Sequence, residues 1–147
     1  MQDACDSFCS YCIVPFARGP LRSRSLQTIL FQARRLVESG HREIILPGVR
    51  LGAYGVDLSE TISLGDVLKA LIEPDGLWRI RLSSVEPMEC SPQIIDLIAS
   101  SQKICRHLHI PLQSGDDEIL RRMRRNYSAR EFARSIPVIH SQKPLYP

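Results

Sequence analysis

Gln2-Asp3-Ala4-Cys5-Asp6-Ser7-Phe8-Cys9-Ser10-Tyr11-Cys12-Ile13-Val14-Pro15 carries three cysteines in a C-x3-C-x2-C pattern, with an aromatic residue in each gap. A [4Fe–4S] cube takes one thiolate per iron and normally uses four. Three thiolates from one short loop leave an iron without a protein ligand, and an open iron can chelate a small molecule. Zinc is the rival reading, because a structural zinc site takes four tetrahedral ligands, often as two separated pairs. The remaining cysteines, Cys90 and Cys105, are single and distant, and neither has a near partner at knuckle spacing. Five cysteines in 147 residues, an odd and sparse count, argue against a disulfide scaffold.

The chain is about one domain long, and its 44% apolar and 24% charged residues are ordinary for a globular protein. It has no apolar run long enough to span a bilayer and no basic-then-apolar leader at its start. Unpaired cysteines then fit a reducing, cytoplasmic setting. A net charge of +3 does not by itself imply nucleic acid. Arginines do cluster at Arg18, Arg22 and Arg24 and again at Arg121, Arg122, Arg124 and Arg125. Such groups can neutralise phosphates or simply form a solvated helix face.

Outward from the cysteines, helical and strand patterns alternate. Leu26, Ile29, Leu30, Ala33, Leu36 and Val37 keep the spacing of one apolar helix face, with Ser25 as N-cap and Gly40 as stop. Glu43 to Leu46 reads as a short buried strand ended by Pro47-Gly48. The next helix carries Leu64, Val67, Leu68, Leu71 and Ile72, with Ser63 and Asp66 spaced as a capping box and Pro74 and Gly76 closing it. A strand at Trp78 to Leu82 follows, then a helix opened by Ser91-Pro92 and carrying Ile95, Leu97 and Ile98. His107 to Leu112 reads as a further strand, with His107 and His109 on one face. Helical stretches through Ile119, Leu120 and Met123, and over about Ala129 to Ile136, complete the pattern. Such alternation predicts β/α units around a parallel sheet, with the active site at the C-terminal ends of the strands.

The cysteine spacing is that of the radical S-adenosylmethionine (SAM) enzymes, and further blocks extend the match. These are Ala17-Arg18-Gly19 with Arg22-Ser23-Arg24, Gly48 to Gly55, Arg79 to Pro87, His107 to Gly115, and Leu120 to Tyr127. In these blocks, up to about Gln142, the chain resembles the central radical SAM domain of the methylthiotransferases. It is most similar to the tRNA branch acting on N6-threonylcarbamoyladenosine. The resemblance implies an α/β fold: a partial (β/α)6 barrel with flanking helices, truncated at both ends. It implies that residues 1–147 lack an N-terminal domain holding an auxiliary [4Fe–4S] cluster and a C-terminal RNA-binding barrel. The close at Lys143-Pro144-Leu145-Tyr146-Pro147 would precede the last two strands.

Function follows from the same resemblance. Cys5, Cys9 and Cys12 would hold the [4Fe–4S] cluster, and SAM would chelate the open iron. Reduction by a flavodoxin or ferredoxin would cleave SAM to a 5′-deoxyadenosyl radical. That radical would attack C2 of the modified adenosine next to the tRNA anticodon, and a second SAM would supply the methyl group. Tyr11, Gly48, Val49, Ser84, Glu86, Gln113 and Ser114 fall where SAM would lie, and Arg124 or Arg125 would pair with substrate, the SAM carboxylate or an RNA phosphate. Tyr11 and Phe8 equally suit a role as water shields, and His107 and His109 would either face the barrel lumen and meet substrate or cofactor, or stand as hydrogen-bonded core residues. Isopentenyladenosine in tRNA, or a ribosomal protein, is the alternative substrate; a metal-binding fragment without activity is the alternative in kind. Two departures from the family stand out. Ala4 replaces the usual glycine before the first cysteine, with strain of about 1 kcal/mol if its φ is positive. Pro47 stands where threonine is common, removing a hydroxyl and an N–H.

Overall fold

Caps and apolar spacing set the helices. In the computed structural model, residues 1–73 and 75–141 are described, with side chains as far as residue 136. Helix α1 (Val14–Arg18) closes the cysteine loop, and α2 (Leu26–Glu38) begins at Ser25, whose Oγ accepts from the Thr28 N–H at 3.3 Å. Ile29 and Ala33 turn inward from α2, and Gly40, at φ 89°, ends it. Helix α3 (Leu64–Ile72) buries Leu64, Val67, Leu68 and Leu71 against α2 and against α4 (Pro92–Ser100). Helices α5 (Asp117–Arg122) and α6 (Ala129–Ser141) follow, capped by Asp116 and by Ser128 with Glu131. Pro74, expected to close α3, and residues 142–147 lie outside the described residues.

The capping box on α3 forms as its spacing implies. Ser63 Oγ accepts from the Asp66 N–H, and Asp66 Oδ2 accepts from the Ser63 N–H at 2.9 Å and hydroxyl at 2.6 Å. Those Ser63 donors hold the Asp66 carboxyl below its ordinary range. A group with a depressed native pKa stabilises fully above its unfolded value, about 3.9, and loses that effect as pH falls through the native value. Ser63→Ala is therefore expected to cost about 1 kcal/mol near pH 7. In urea melts the deficit should shrink once the pH is low enough to protonate Asp66.

Strand β3 (Glu43–Leu46) pairs in parallel with β4 (Arg79–Leu82), in register Glu43↔Arg79 through Leu46↔Leu82. Strands β1 (Gln2–Asp3) and β2 (Arg22–Ser23) form an antiparallel pair. Parallel bridges Gln2↔Gly48 and Ile80↔Ile104 join the pieces, so the order across is β2, β1, β3, β4 and the Ile104 segment. Ile44, Leu46, Ile80 and Leu82 meet the helices in one core. Among the described residues the sheet stays open.

Several expected boundaries move. No strand forms over His107 to Leu112. The ladder contacts there are Ile80 N–H to the Lys103 carbonyl at 2.7 Å, Cys105 N–H to the Ile80 carbonyl at 2.8 Å and Val85 N–H to the His109 carbonyl at 3.1 Å. Pro111 offers no N–H, and no strand pairs with the segment's outer edge among the described residues. β3 is buried on one face only: Ile44 and Leu46 are 8% and 4% exposed, but Ile45 between them is 57% exposed. Trp78 stays outside β4, with Arg42 stacked on its ring. α6 runs to Ser141, beyond the expected end near Ile136.

Candidate metal centre

The strand leading into the cysteines is held from both sides. Gln2 is buried; its amide donates to the Asp3 and Ala4 carbonyls and accepts from the Arg50 N–H at 2.8 Å. The Asp3 carboxylate takes Arg18 at 2.8 Å and Arg22 at 3.3 Å, and the Arg18 hydrogen bond holds its carboxyl below the usual range. Between these anchors the loop turns at two left-handed residues, Ala4 (φ 62°) and Phe8 (φ 46°). Ala4 is fully buried where glycine would relieve about 1 kcal/mol of backbone strain. The Cys12 N–H closes the turn on the Cys9 carbonyl at 3.0 Å. Phe8 and Phe16 meet edge to face at 5.6 Å, and together with Tyr11 and Ile13 they are exposed around the loop.

Cys5, Cys9 and Cys12 are free, half-buried thiols. The Ser7 N–H donates to Cys5 Sγ and Arg125 Nη1 donates to Cys9 Sγ, each at 3.4 Å. Arg125 also donates to the Tyr11 hydroxyl at 3.4 Å, ion-pairs with Glu86 and lies 5.2 Å over the Tyr127 ring. Burial opposes its charge, but the Glu86 and Cys9 contacts outweigh that and push its pKa up. Burial also raises the pKa of the Tyr11 hydroxyl. Arg50 is a second arginine below the loop, bonded to Asp6 at 2.5 Å and to Glu89 at 2.7 Å.

Donor chemistry tests the fit to a cluster. Among the described residues no three His, Cys, Asp or Glu side chains gather closely enough to hold a single ion. A cube asks for something else: one sulfur per iron, spread around a body several bonds across. Three separate thiols with N–H donors on two of their sulfurs suit that. The Nε of Arg125, buried beside them, has no partner among the described residues. Cys90 does not belong to the set: burial pushes its thiol up to about 11, and it donates to the Glu86 carbonyl.

The expected binding residues divide into groups. Cys9, Glu86, Arg124 and Arg125 line one cavity with Ser7, Arg50, Met88, Glu89, Asn126 and Tyr127, and Tyr11 touches it through Arg125. Gly48 and Val49 instead line a larger opening of ≈ 410 Å³ with Ser83, Asp3, Arg18, Arg22 and Arg24. Ser84 bonds His109 Nδ1 at 2.7 Å. Gln113 and Ser114 sit in the loop before α5, where Gln113 is exposed at φ 66° and Ser114 Oγ accepts from the Asp116 N–H. Sequence reasoning missed Gln2, Asp6, Arg50 and Glu89. Gln2, Asp6 and Arg50 stood inside quoted stretches, but their residue types gave no hint that Arg50 has partners 44 and 39 residues away.

Known proteins resemble the chain over most of its length. The chain is 39% identical over 140 residues to the tRNA-2-methylthio-N(6)-dimethylallyladenosine synthase of Carboxydothermus hydrogenoformans, covering 95% of this chain and 32% of that one. It is 42% identical over 134 residues to the threonylcarbamoyladenosine tRNA methylthiotransferase MtaB of Bacillus subtilis, covering 90% and 30%. A dimethylallyladenosine synthase of Desulfitobacterium hafniense is 44% identical over 124 residues, with 84% and 28% covered. The chain thus spans about a third of the length of these curated relatives. The profile of the Radical SAM superfamily matches residues 1–143, from the strand before the cysteines through α6. With that profile matched along almost its whole length, and three free thiols on the loop that follows β1, this chain is a member of the radical SAM superfamily.

Proposed function

We propose that the chain binds a [4Fe–4S] cluster through Cys5, Cys9 and Cys12 and serves methylthiolation of tRNA, at N6-threonylcarbamoyladenosine next to the anticodon. The observation that carries the cluster is the cysteine loop itself: three free thiols, two already hydrogen-bonded at sulfur, just after a strand locked by Gln2 and Asp3. With SAM on its open iron, the cluster supplies one-electron reductive chemistry, drawing on a flavodoxin or ferredoxin.

The chain's own residues bind and orient. An amine whose lone pair is held by iron keeps only N–H donors and calls for acceptors, which the carbonyls of Gly48 and Val49 offer at the end of β3. Ser84 and Glu86, at the end of β4, and Gln113 and Ser114, before α5, supply hydroxyl, amide and carboxylate groups for SAM. Arg124, exposed at the cavity rim, suits a phosphate. Tyr11 offers its ring and backbone to the SAM adenine or, with Phe8, screens the loop from water.

Dimethylallyladenosine is the second substrate reading, favoured by the names of relatives at 39% and 44% identity. Nucleoside analysis of tRNA from a strain deleted for the encoding gene separates the two. Loss of the 2-methylthio form of threonylcarbamoyladenosine supports the first reading; loss of the dimethylallyl form replaces it with the second. The cluster is tested on the chain itself by anaerobic reconstitution. About four irons are expected per chain, with an EPR spectrum of the reduced protein that changes when SAM is added. A spectrum indifferent to SAM would sink the open-iron proposal.

A further inference from the structure

We infer that Arg125 is a positioning residue for the cluster: its guanidinium fixes the Cys9 sulfur and, by placing a positive donor on that ligand, eases the cluster's reduction. The inference rests on the cluster reading above. Arg125 lies 116 residues from Cys9 in sequence, yet its side chain is only 7% exposed and its Nη1 is 3.4 Å from the sulfur. Three supports aim it. The Arg125 N–H returns to the Leu120 carbonyl at 2.9 Å, just after Arg124 turns left-handed at φ 58°. Tyr127 lies beneath the guanidinium, its own hydroxyl fixed on the Pro111 and Leu112 carbonyls at 3.1 and 2.9 Å. Glu86 takes the other amino group, Nη2, leaving Nη1 to the sulfur.

Folding alone does not account for this arrangement. A buried guanidinium with its Nε unpartnered among the described residues leaves a desolvation cost that folding does not offset. Removing so much of Arg125 from solvent also suits it poorly to an RNA phosphate; exposed Arg124 is better placed. A protonated thiol is a weak acceptor, whereas a metal-bound thiolate is a strong one. When an electron enters the cube, negative charge on its sulfur ligands grows. A cationic donor on one ligand therefore stabilises the reduced form more than the oxidised form, and hydrogen bonds to sulfur are among the determinants of cluster potential. Glu86 lessens the charge without cancelling it, since its carboxylate sits on the far amino group.

The test uses the whole chain, reconstituted with iron and sulfide and titrated with dithionite as reductant while EPR follows the reduced cluster. Wild type, Arg125→Lys, Arg125→Met, the double variant Glu86→Gln/Arg125→Met, and Arg121→Gln are compared. Arg125→Met should hold iron but show about tenfold less reduced cluster at a fixed potential, a midpoint ~59 mV lower for one electron. Arg125→Lys should restore most of the shift. Arg121→Gln, which removes equal charge from a residue paired with Glu118, should leave the midpoint alone. If Arg125→Met does not load because Glu86 is left unpaired, the double variant carries the measurement, and it too should sit low. A wild-type midpoint in Arg125→Met, or one recovered in the double variant, overturns the inference; the second result would mean that Arg125 only neutralises Glu86. A midpoint unmoved while SAM binding weakens also overturns it. Wild-type chain that takes up no iron overturns the cluster reading and this inference together.

Discussion

Cys9→Ala is expected to take the reconstituted chain from about four irons to fewer than about one, with the far-UV spectrum unchanged. Each cluster thiolate serves its own iron, so removing one of three leaves two sulfurs on a body that already has an open corner. Chelation by two ligands from one loop is too weak to keep the cube against loss to solvent. Cys9 is also the sulfur that Arg125 holds, so its removal leaves Nη1 with the Tyr11 hydroxyl at 3.4 Å. The fold should survive, because Cys9 lies outside the packed core of Ile44, Leu46, Leu68 and Ile80. Cys90→Ala and Cys105→Ala are the controls. The Cys90 thiol, at about 11, stays protonated at neutral pH and is bound to the Glu86 carbonyl. Cys105 is tied by its N–H to Ile80 on the sheet. Both variants should keep about four irons. Iron retained in Cys9→Ala, or lost in Cys90→Ala, would assign the ligands elsewhere.

The contrast between those cysteines shows what a one-dimensional reading captures. Spacing put Cys5, Cys9 and Cys12 on one loop because the loop is local, and caps at Ser25, Ser63 and Ser91 were legible because their partners lie three residues away. The helices α2, α3 and α4 followed from the same short range. Long-range pairing did not show itself. His107 to Leu112 alternates like a strand, yet whether it becomes one depends on a continuous ladder with a neighbour, and among the described residues the bridge to β4 falls at Ile104, before the segment begins. β1 and β2 have two residues each, too short for any alternation; their pairing is accompanied by Asp3 reaching Arg18 and Arg22. Beneath the cysteines the hidden layer is polar. Gln2 meets the Arg50 backbone 48 residues on, and Glu86 meets Arg125 39 residues on. Charged residues at such separations look like surface until the fold brings them together. The sequence singled out Arg125 for substrate or phosphate, but it gave no sign of the sulfur beside it.

Gly55→Ala is expected to cost on the order of 3 kcal/mol or more, a large share of the 5–15 kcal/mol typical of a domain. Gly55 sits at φ 91°, and a Cβ built there would lie 1.8 Å from the Ile62 carbonyl oxygen. That obstacle is backbone, so no rotamer change relieves it; the loop from Val56 to Ile62 would have to open. The loop is not free to do so. Gly55 donates its N–H to Ser23 Oγ at 3.0 Å, and Tyr54, 2% exposed, donates its hydroxyl to the Arg24 carbonyl at 2.7 Å. Displacing Gly55 therefore pulls on β2, which pairs with the strand leading into the cysteines. It also disturbs the turn before it, where Arg50 reaches Asp6 and Glu89. Gly40→Ala isolates the steric part. Gly40 has a similar positive φ of 89°, in the turn that ends α2, with nothing within 4 Å of its Cβ position, so only the conformational cost of about 1 kcal/mol applies. In urea, Gly55→Ala should lower the midpoint by about 1 M or more, and Gly40→Ala by well under that. Iron uptake should fall in step with the folded fraction of Gly55→Ala, because the loop that holds the thiols rests on the segment being forced apart. Equal midpoints for the two variants would mean that the Ile62 carbonyl gives way at little cost, and that the cysteine loop is anchored by Gln2 and Asp3 alone.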